Sequence, residues 1–409
     1  MSIMRLLVCA SAYGLVIFVT LTLSTWCWTR AGWSVLNQGL AISLCSLVYP
    51  ALVGFAGRIA DKVGRARQAS LAVFCAALFV LLLLLQTPES TVACFLLITA
   101  CGAWYFPAIA GLISETADTN TDLPLYKRVG RYNLGWASGN FVGFFVSVCL
   151  ALLTHQALGI GLGVGIMSLS CLGAGLFLWR HRTMPSYSTR SQQQASDPAP
   201  AFLGRYVLAA RMGVFFGCMA TSILTASLLA ILSRPGVEFS TRSHQQLMQT
   251  VTFLSYSSGY IGSFLALSHW SGWIFKPICL WMLQLCVVIG ALLLALLPLF
   301  GMVSLLGMVP IAVFMGIGFG AFYTASIFYS LRLPHGASKA AGVHETFVGA
   351  GNIAGPVSGG LCITLLAGFI PPVPGGGLFA LGLIIMAVAL TGILIQLPVV
   401  LLKNKSSVH

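Results

Sequence analysis

Gly57-Arg58-Ile59-Ala60-Asp61-Lys62-Val63-Gly64-Arg65-Ala66-Arg67 stands between two long apolar runs. The chain of 409 residues has only 21 Lys and Arg and eight Asp and Glu. Arg58, Asp61, Lys62, Arg65 and Arg67 nevertheless crowd into this one short link. Gly57 and Gly64 permit a tight turn and a close approach of the flanking helices. Asp61 places a carboxylate beside a cluster of cations, where a charge-assisted pair is its obvious use.

Outside this link the chain is apolar: 58% of residues are hydrophobic and 7% charged, with a mean hydropathy of +0.95. A soluble domain has roughly 25% charged residues. The apolar runs are continuous, as in Phe79, Val80 and Leu81 to Leu85, whereas a transmembrane barrel would alternate. The reading is an all-α membrane protein that passes the bilayer several times, with lipid as its surroundings. The formal net charge of +13 does not imply nucleic acid, because no basic block is dense enough to grip phosphates. The twelve cysteines form no C-x-x-C pair and read as small buried hydrophobes. No metal or cofactor is expected.

A spanning helix needs about 20 mostly apolar residues. That rule predicts twelve spans, at 5–26, 34–59, 68–86, 91–115, 130–153, 157–179, 204–233, 246–268, 273–297, 301–331, 340–366 and 377–402. The first reads as an uncleaved helix, since no small-x-small cleavage site follows its apolar run cleanly before Trp26 and the run is long enough to span. A Pro-, Ser- and Gln-rich stretch follows Arg180 and contains Asp197 and Pro198, which reads as a linker. The expected division is a six-helix bundle at 1–179, a cytoplasmic linker at 180–203 and a second six-helix bundle at 204–409. With both termini cytoplasmic, all of the 21 Lys and Arg except Arg30, Arg234 and Arg242 fall on the cytoplasmic side, as the positive-inside bias requires. That side is expected to be the cytoplasmic face of the plasma (inner) membrane.

The two halves repeat one another. Gly130, Gly139, Asn140 and Gly143 in span five stand at one constant interval from Gly342, Gly351, Asn352 and Gly355 in span eleven. Tyr105-Phe106 in span four loosely match Phe322-Tyr323 in span ten.

The pattern Gly-x-x-x-Asp-Lys-x-Gly-Arg-x-Arg over 57–67 resembles the loop between helices 2 and 3 of the major facilitator superfamily of secondary transporters. The resemblance implies two six-helix bundles around a central cavity, working by alternating access as a monomer. It further implies that Gly57, Asp61, Lys62, Gly64, Arg65 and Arg67 form a cytoplasmic gate. Asp61 would cap the start of helix 11 and hold an outward-facing state together with Arg65, a contact worth about 0.3–1 kcal/mol at an exposed helix N-terminus. A partner loop is expected near 262–276, where the acid and most of the cations are missing. Gly351, Gly355, Pro356 and Gly359 resemble the Gly-Pro motif of antiporter-type members, displaced from span five to span eleven. Their physical content is helix packing, since small residues four apart let helices approach and Pro bends them. The Arg that proton-driven drug exporters carry in helix 4 is missing.

Ionisable residues in spans are candidates for function. Glu345 and His344 at the start of span eleven and Glu115 at the end of span four are the proton-coupling candidates, expected near the cytoplasmic interface and, for His344 and Glu345, where Asp61 would dock. Tyr13, Trp136, Asn140, Tyr256, Tyr260, Tyr323 and Asn352 are the cavity candidates. Such aromatic walls with few fixed charges suit an uncharged, weakly polar or amphipathic solute. The leading reading is a transporter of a small organic solute, with proton-coupled export as one form. The alternative is a transporter-like protein acting in binding, sensing or assembly. An enzyme is not expected, because no H-E-x-x-H helix or Ser nucleophile motif occurs.

Overall fold

The computed structural model describes residues 3–116, 124–151, 156–181, 203–232, 242–333, 337–366 and 376–401. Twelve α-helices account for nearly all of them: α1 (Ile3–Arg30), α2 (Val35–Val63), α3 (Arg65–Phe79), α4 (Pro88–Thr116), α5 (Leu125–Ala151), α6 (Gln156–Arg180), α7 (Leu203–Leu232), α8 (Arg242–His269), α9 (Pro277–Leu296), α10 (Leu305–Leu331), α11 (Ala337–Leu365) and α12 (Gly376–Leu401). In hydrocarbon a helix satisfies its own backbone groups, and no open strand can. Eleven of the helices are long and apolar enough to cross a membrane. The exception is α8, whose Gln249, Thr250, Thr252, Ser257 and Ser263 are buried inside the bundle. Its polar face looks inward, so mean hydropathy understates a helix that packs against both α10 and α5.

Leu44, Leu84, Leu169 and Leu306 are among the many exposed leucines. This outer surface belongs in lipid, which is the medium the helices contact. Most of the proposed link between the halves, residues 182–202, lies outside the described residues.

Several local expectations change. Residues 262–269 are the last turns of α8, continued by the buried Phe264 and Leu267, so the expected partner loop is confined to the short stretch from Trp270 to Lys276. Span ten begins at Leu305, not at 301. Gly301 takes a left-handed φ of 64° after a 3₁₀ turn, Leu297–Phe300, and Ser304 then caps α10 by accepting from the Gly307 amide at 3.2 Å. Gly64 ends α2 and starts α3 in a single residue at φ 98°, ψ 121°. That backbone conformation favours glycine.

The internal repeat is built into the helix crossings. A Cβ on Gly139 of α5 would collide with the Ser11 carbonyl oxygen of α1, and one on Gly143 would lie 3.0 Å from that of Leu15. A Cβ on Gly351 of α11 would collide with the Phe215 carbonyl oxygen of α7, and one on Gly355 would lie 2.5 Å from that of Met219. The α1–α5 and α7–α11 pairs therefore cross in the same register. Gly359 continues the stripe against Ile223.

The first six helices meet the second six along two seams. The antiparallel pair α2 and α11 touches from Leu36 against Gly360, through Gly39 against Pro356 and Pro50 against Gly349, to Val53 against Gly342. The pair α5 and α8 touches from Phe144 against Phe253, ring centroids 5.0 Å apart, to Gly130 against Ser268.

Candidate functional site

Between these seams lies a cavity of about 240 Å³. Eight helices line it, four from each half: α1, α2, α4 and α5, with α7, α8, α10 and α11. Ten of the lining side chains are aromatic, and Glu345 is the sole charged group among the described lining residues.

Glu345 is 4% exposed, more than two turns inside α11. Its Oε2 accepts from the Tyr49 hydroxyl of α2 at 2.9 Å, and its Oε1 accepts from the Tyr323 hydroxyl of α10 at 3.0 Å. One carboxylate is thus bonded from both halves of the molecule. Other side-chain bonds also cross between the halves: Ser43 Oγ donates to the Ile353 carbonyl at 2.7 Å, and Asn133 Nδ2 donates to Thr324 Oγ1 at 3.1 Å. Both are neutral. Tyr132 on α5 and Cys218 on α7 are the other titratable neighbours of the Glu345 carboxylate.

His344 and Glu345 thus lie at cavity depth, not at the water interface expected from their place early in the span. The reason is packing: α2 and α10 cover this part of α11 on two sides. His344 is fully buried. Its Nδ1 is 2.9 Å from Ser326 Oγ, its ring meets Tyr323 edge-on at 4.7 Å, and its Nε2 has no partner. Arg211 of α7 acts on it electrostatically and donates through Nε to Ser330 Oγ at 3.3 Å.

Six of the seven cavity candidates line this space: Trp136, Asn140, Tyr256, Tyr260, Tyr323 and Asn352. Trp136 joins the halves, its ring 4.9 Å from Tyr323 and 5.8 Å from Tyr260. Its Nε1 has no partner. Asn352 Oδ1 accepts from Ser222 Oγ at 2.7 Å, and Thr221 Oγ1 lies 3.0 Å from the Tyr256 hydroxyl. Asn140 lies over Gly14, where a Cβ would come 2.7 Å from its Oδ1. Tyr13 is the exception. It is fully buried behind the wall, donating to the Ile98 carbonyl at 2.6 Å and stacking on Tyr105 at 4.6 Å.

Tyr49 was missed by sequence reasoning. It stands as far from the start of α2 as Tyr256 does from the start of α8, so extending the repeat to these helices would have found it. Gly351, Gly355 and Gly359 face α7, and the Pro356 carbonyl faces Gly39 of α2.

At the charged link, Arg65 Nη1 donates to the Gly111 carbonyl of α4 at 3.3 Å, a cation at the carboxyl end of a helix. Gly57 is buried, and Lys62 and Arg67 are exposed. Asp61 lies in α2 and Glu115 in α4, but their side chains are outside the described residues.

The sequence model of the Major Facilitator Superfamily matches residues 6–356. The chain belongs to the Major Facilitator Superfamily. Among solved structures, it is similar to a point mutant of the nucleoside transporter NupG, with 13% identity, a TM-score of 0.60, and coverage of 97% of this chain and 100% of that one. It is also similar to a bacterial homologue of the human lysosomal transporter Spinster in an inward-facing, unoccupied conformation, with 14% identity, a TM-score of 0.64, and coverage of 97% and 95%. At such identities these likenesses establish the fold alone. No curated protein matches by sequence. The twelve-helix facilitator fold expected from the sequence is therefore the fold of this chain, and a superfamily of transporters is its setting.

Proposed function

We propose that this facilitator is a secondary transporter that moves a small organic solute through the central cavity by alternating access, in exchange for protons and in the outward direction. The observation that carries this reading is the Glu345 carboxylate, bonded by Tyr49 from one half and Tyr323 from the other at a cavity lined equally by both. A titratable group at membrane depth is a candidate for coupling. One that bridges the moving halves can link its proton to their relative position. Opening the α2–α11 seam separates Tyr49 from Glu345, and protonation changes what that separation costs. His344 stands beside the carboxylate as a second group of the same relay, with Glu115 a further candidate.

The same reading takes 1–179 and 204–409 as the two moving bundles, 180–203 as their cytoplasmic linker, and a monomer in the plasma membrane with both termini cytoplasmic as the working unit. The skewed distribution of Lys and Arg supports that orientation. Asp61, with its glycine and arginine neighbours, would latch the cytoplasmic ends, and Val53 against Gly342 brings α2 and α11 close near that level.

The test is flux in reconstituted vesicles with an imposed pH gradient. Glu345→Gln is expected to abolish the pH dependence of whatever transport remains. Retained pH dependence removes Glu345 from the coupling. A protein that binds solute but carries none across the bilayer would belong instead to the class of binding or sensing proteins.

A further inference from the structure

We infer that the solute is an organic monocation, a protonated amine or quaternary ammonium on an aromatic or apolar body. The inference rests on the transport reading and assigns a class of cargo to that same cavity. Glu345 is the sole charged residue among the described lining residues, and no Lys, Arg or His is among them. The hydroxyls of Tyr49 and Tyr323 bond both carboxylate oxygens, but neutral donors leave a net negative charge uncancelled. A charge at membrane depth must be paired or neutralised, and two partners can do that here: a proton or the head of a cationic solute. An anion would meet the carboxylate with no basic group to hold it. A neutral solute would leave the charge as it was.

The rings beside the carboxylate fit the same class. Tyr323 bonds Glu345 and lies 4.9 Å from Trp136 and 6.0 Å from Phe319. Aromatic faces attract cations, most strongly once water is gone. The other end of the cavity is neutral and polar. Asn352 stands two turns beyond Glu345 on α11, about 10 Å along the axis at 1.5 Å per residue, with Ser222 bonded to it. The unpartnered Trp136 Nε1 offers a donor between. A cationic head at Glu345 and a hydrogen-bonding group near Asn352 describe the cargo.

Proton and cation then compete for one carboxylate, so acid should weaken cation binding. The groups around that carboxylate are Tyr49 from α2, Tyr132 from α5, Cys218 from α7, Tyr323 from α10 and His344 from α11, with Arg211 of α7 beyond His344. Of these, His344 is absent from the cavity lining.

The test titrates the purified full-length protein with benzyltrimethylammonium, a permanently charged aromatic cation. Benzyl alcohol and benzoate serve as its neutral and anionic counterparts, and thermal unfolding is the readout. The expected result is stabilisation by the cation alone, with apparent affinity falling by about tenfold per pH unit on the acid side of the carboxyl titration. Glu345→Gln keeps the shape and removes the charge, and should weaken the cation on the order of a hundredfold. Tyr323→Phe keeps ring and carboxylate and should retain the preference for cation. The ligand-free unfolding of both variants, measured alongside, separates loss of binding from loss of fold. Equal stabilisation by benzyl alcohol or benzoate overturns the inference. So does a cation effect that survives Glu345→Gln, or a cation titration that leaves the melting temperature unmoved. Vesicle flux separates the two claims. If the cation binds as stated but moves no protons, the transport reading fails and the cation site stands. If neutral or anionic solutes drive proton flux, transport stands and the cation class fails.

Discussion

Tyr49→Phe removes one hydroxyl and leaves the ring that packs on Gly349. The lost bond is the 2.9 Å contact to Glu345 Oε2, the one bond between the halves, among those described, that involves an ionisable acid. A hydrogen bond to a charged group is worth about 1.5–3 kcal/mol. If the halves part at the α2–α11 seam, the closed arrangement loses that amount and the open ones lose nothing. At 1.4 kcal/mol per tenfold, the closed population should fall relative to the open by roughly ten- to 150-fold. The bond from Tyr323 lies within the second half, so Tyr323→Phe should move this equilibrium far less, though it removes a bond of the same kind. Distances between spin labels at the ends of α4 and α10, measured by double electron–electron resonance, report the populations. The labels should sit on unnatural amino acids, because Cys75 and Cys149 are exposed and would react. An unchanged distance distribution in Tyr49→Phe, or equal shifts in both variants, would refute the idea that this bond holds the halves together.

Other outcomes follow from the same contacts. Gly139→Ala places a methyl against the Ser11 carbonyl oxygen and should cost about 1–3 kcal/mol by overpacking, lowering the melting temperature in detergent. Gly165→Ala, with nothing within 4 Å, should be neutral or slightly stabilising, and an equal loss in both would show that the crossing is not tight. Gly64→Ala forces a side chain onto a backbone at φ 98° and should cost on the order of 1–3 kcal/mol, seen as a lower melting temperature; a wild-type melting curve would contradict it. Asp61→Asn should reduce turnover more than apparent affinity if Asp61 is a latch, and initial-rate flux at several solute concentrations would expose unchanged turnover.

Twelve helices were legible because lipid demands long apolar runs, and α8 was among them despite the polar residues it buries. The tight α1–α5 crossing was legible in part, since Gly139 and Gly143 matched Gly351 and Gly355. The depth of Glu345 was not. A linear sequence indicates how far along a helix a residue lies, but not which neighbours wall it off. Tyr49 sits far away in the chain, and only the antiparallel contact of α2 with α11 brings its hydroxyl to the carboxylate. Tyr13 shows the converse. Its polar tip and its place in a span resembled those of Tyr256, but its hydroxyl donates to the Ile98 carbonyl of α4 and the side chain lies behind the cavity wall.

The glycine crossings have a mechanical consequence. Where backbone meets backbone, with no side chain between, there is nothing soft to compress or re-rotamerise. The α1–α5 and α7–α11 pairs therefore act as stiff beams, one in each half. Any cycle this protein performs must then have its hinge elsewhere, along the two seams, and a single tilt angle between the beams would describe most of it. Cargo bound among the rings would ride at the fulcrum, where a small rotation moves it least and changes its exposure most.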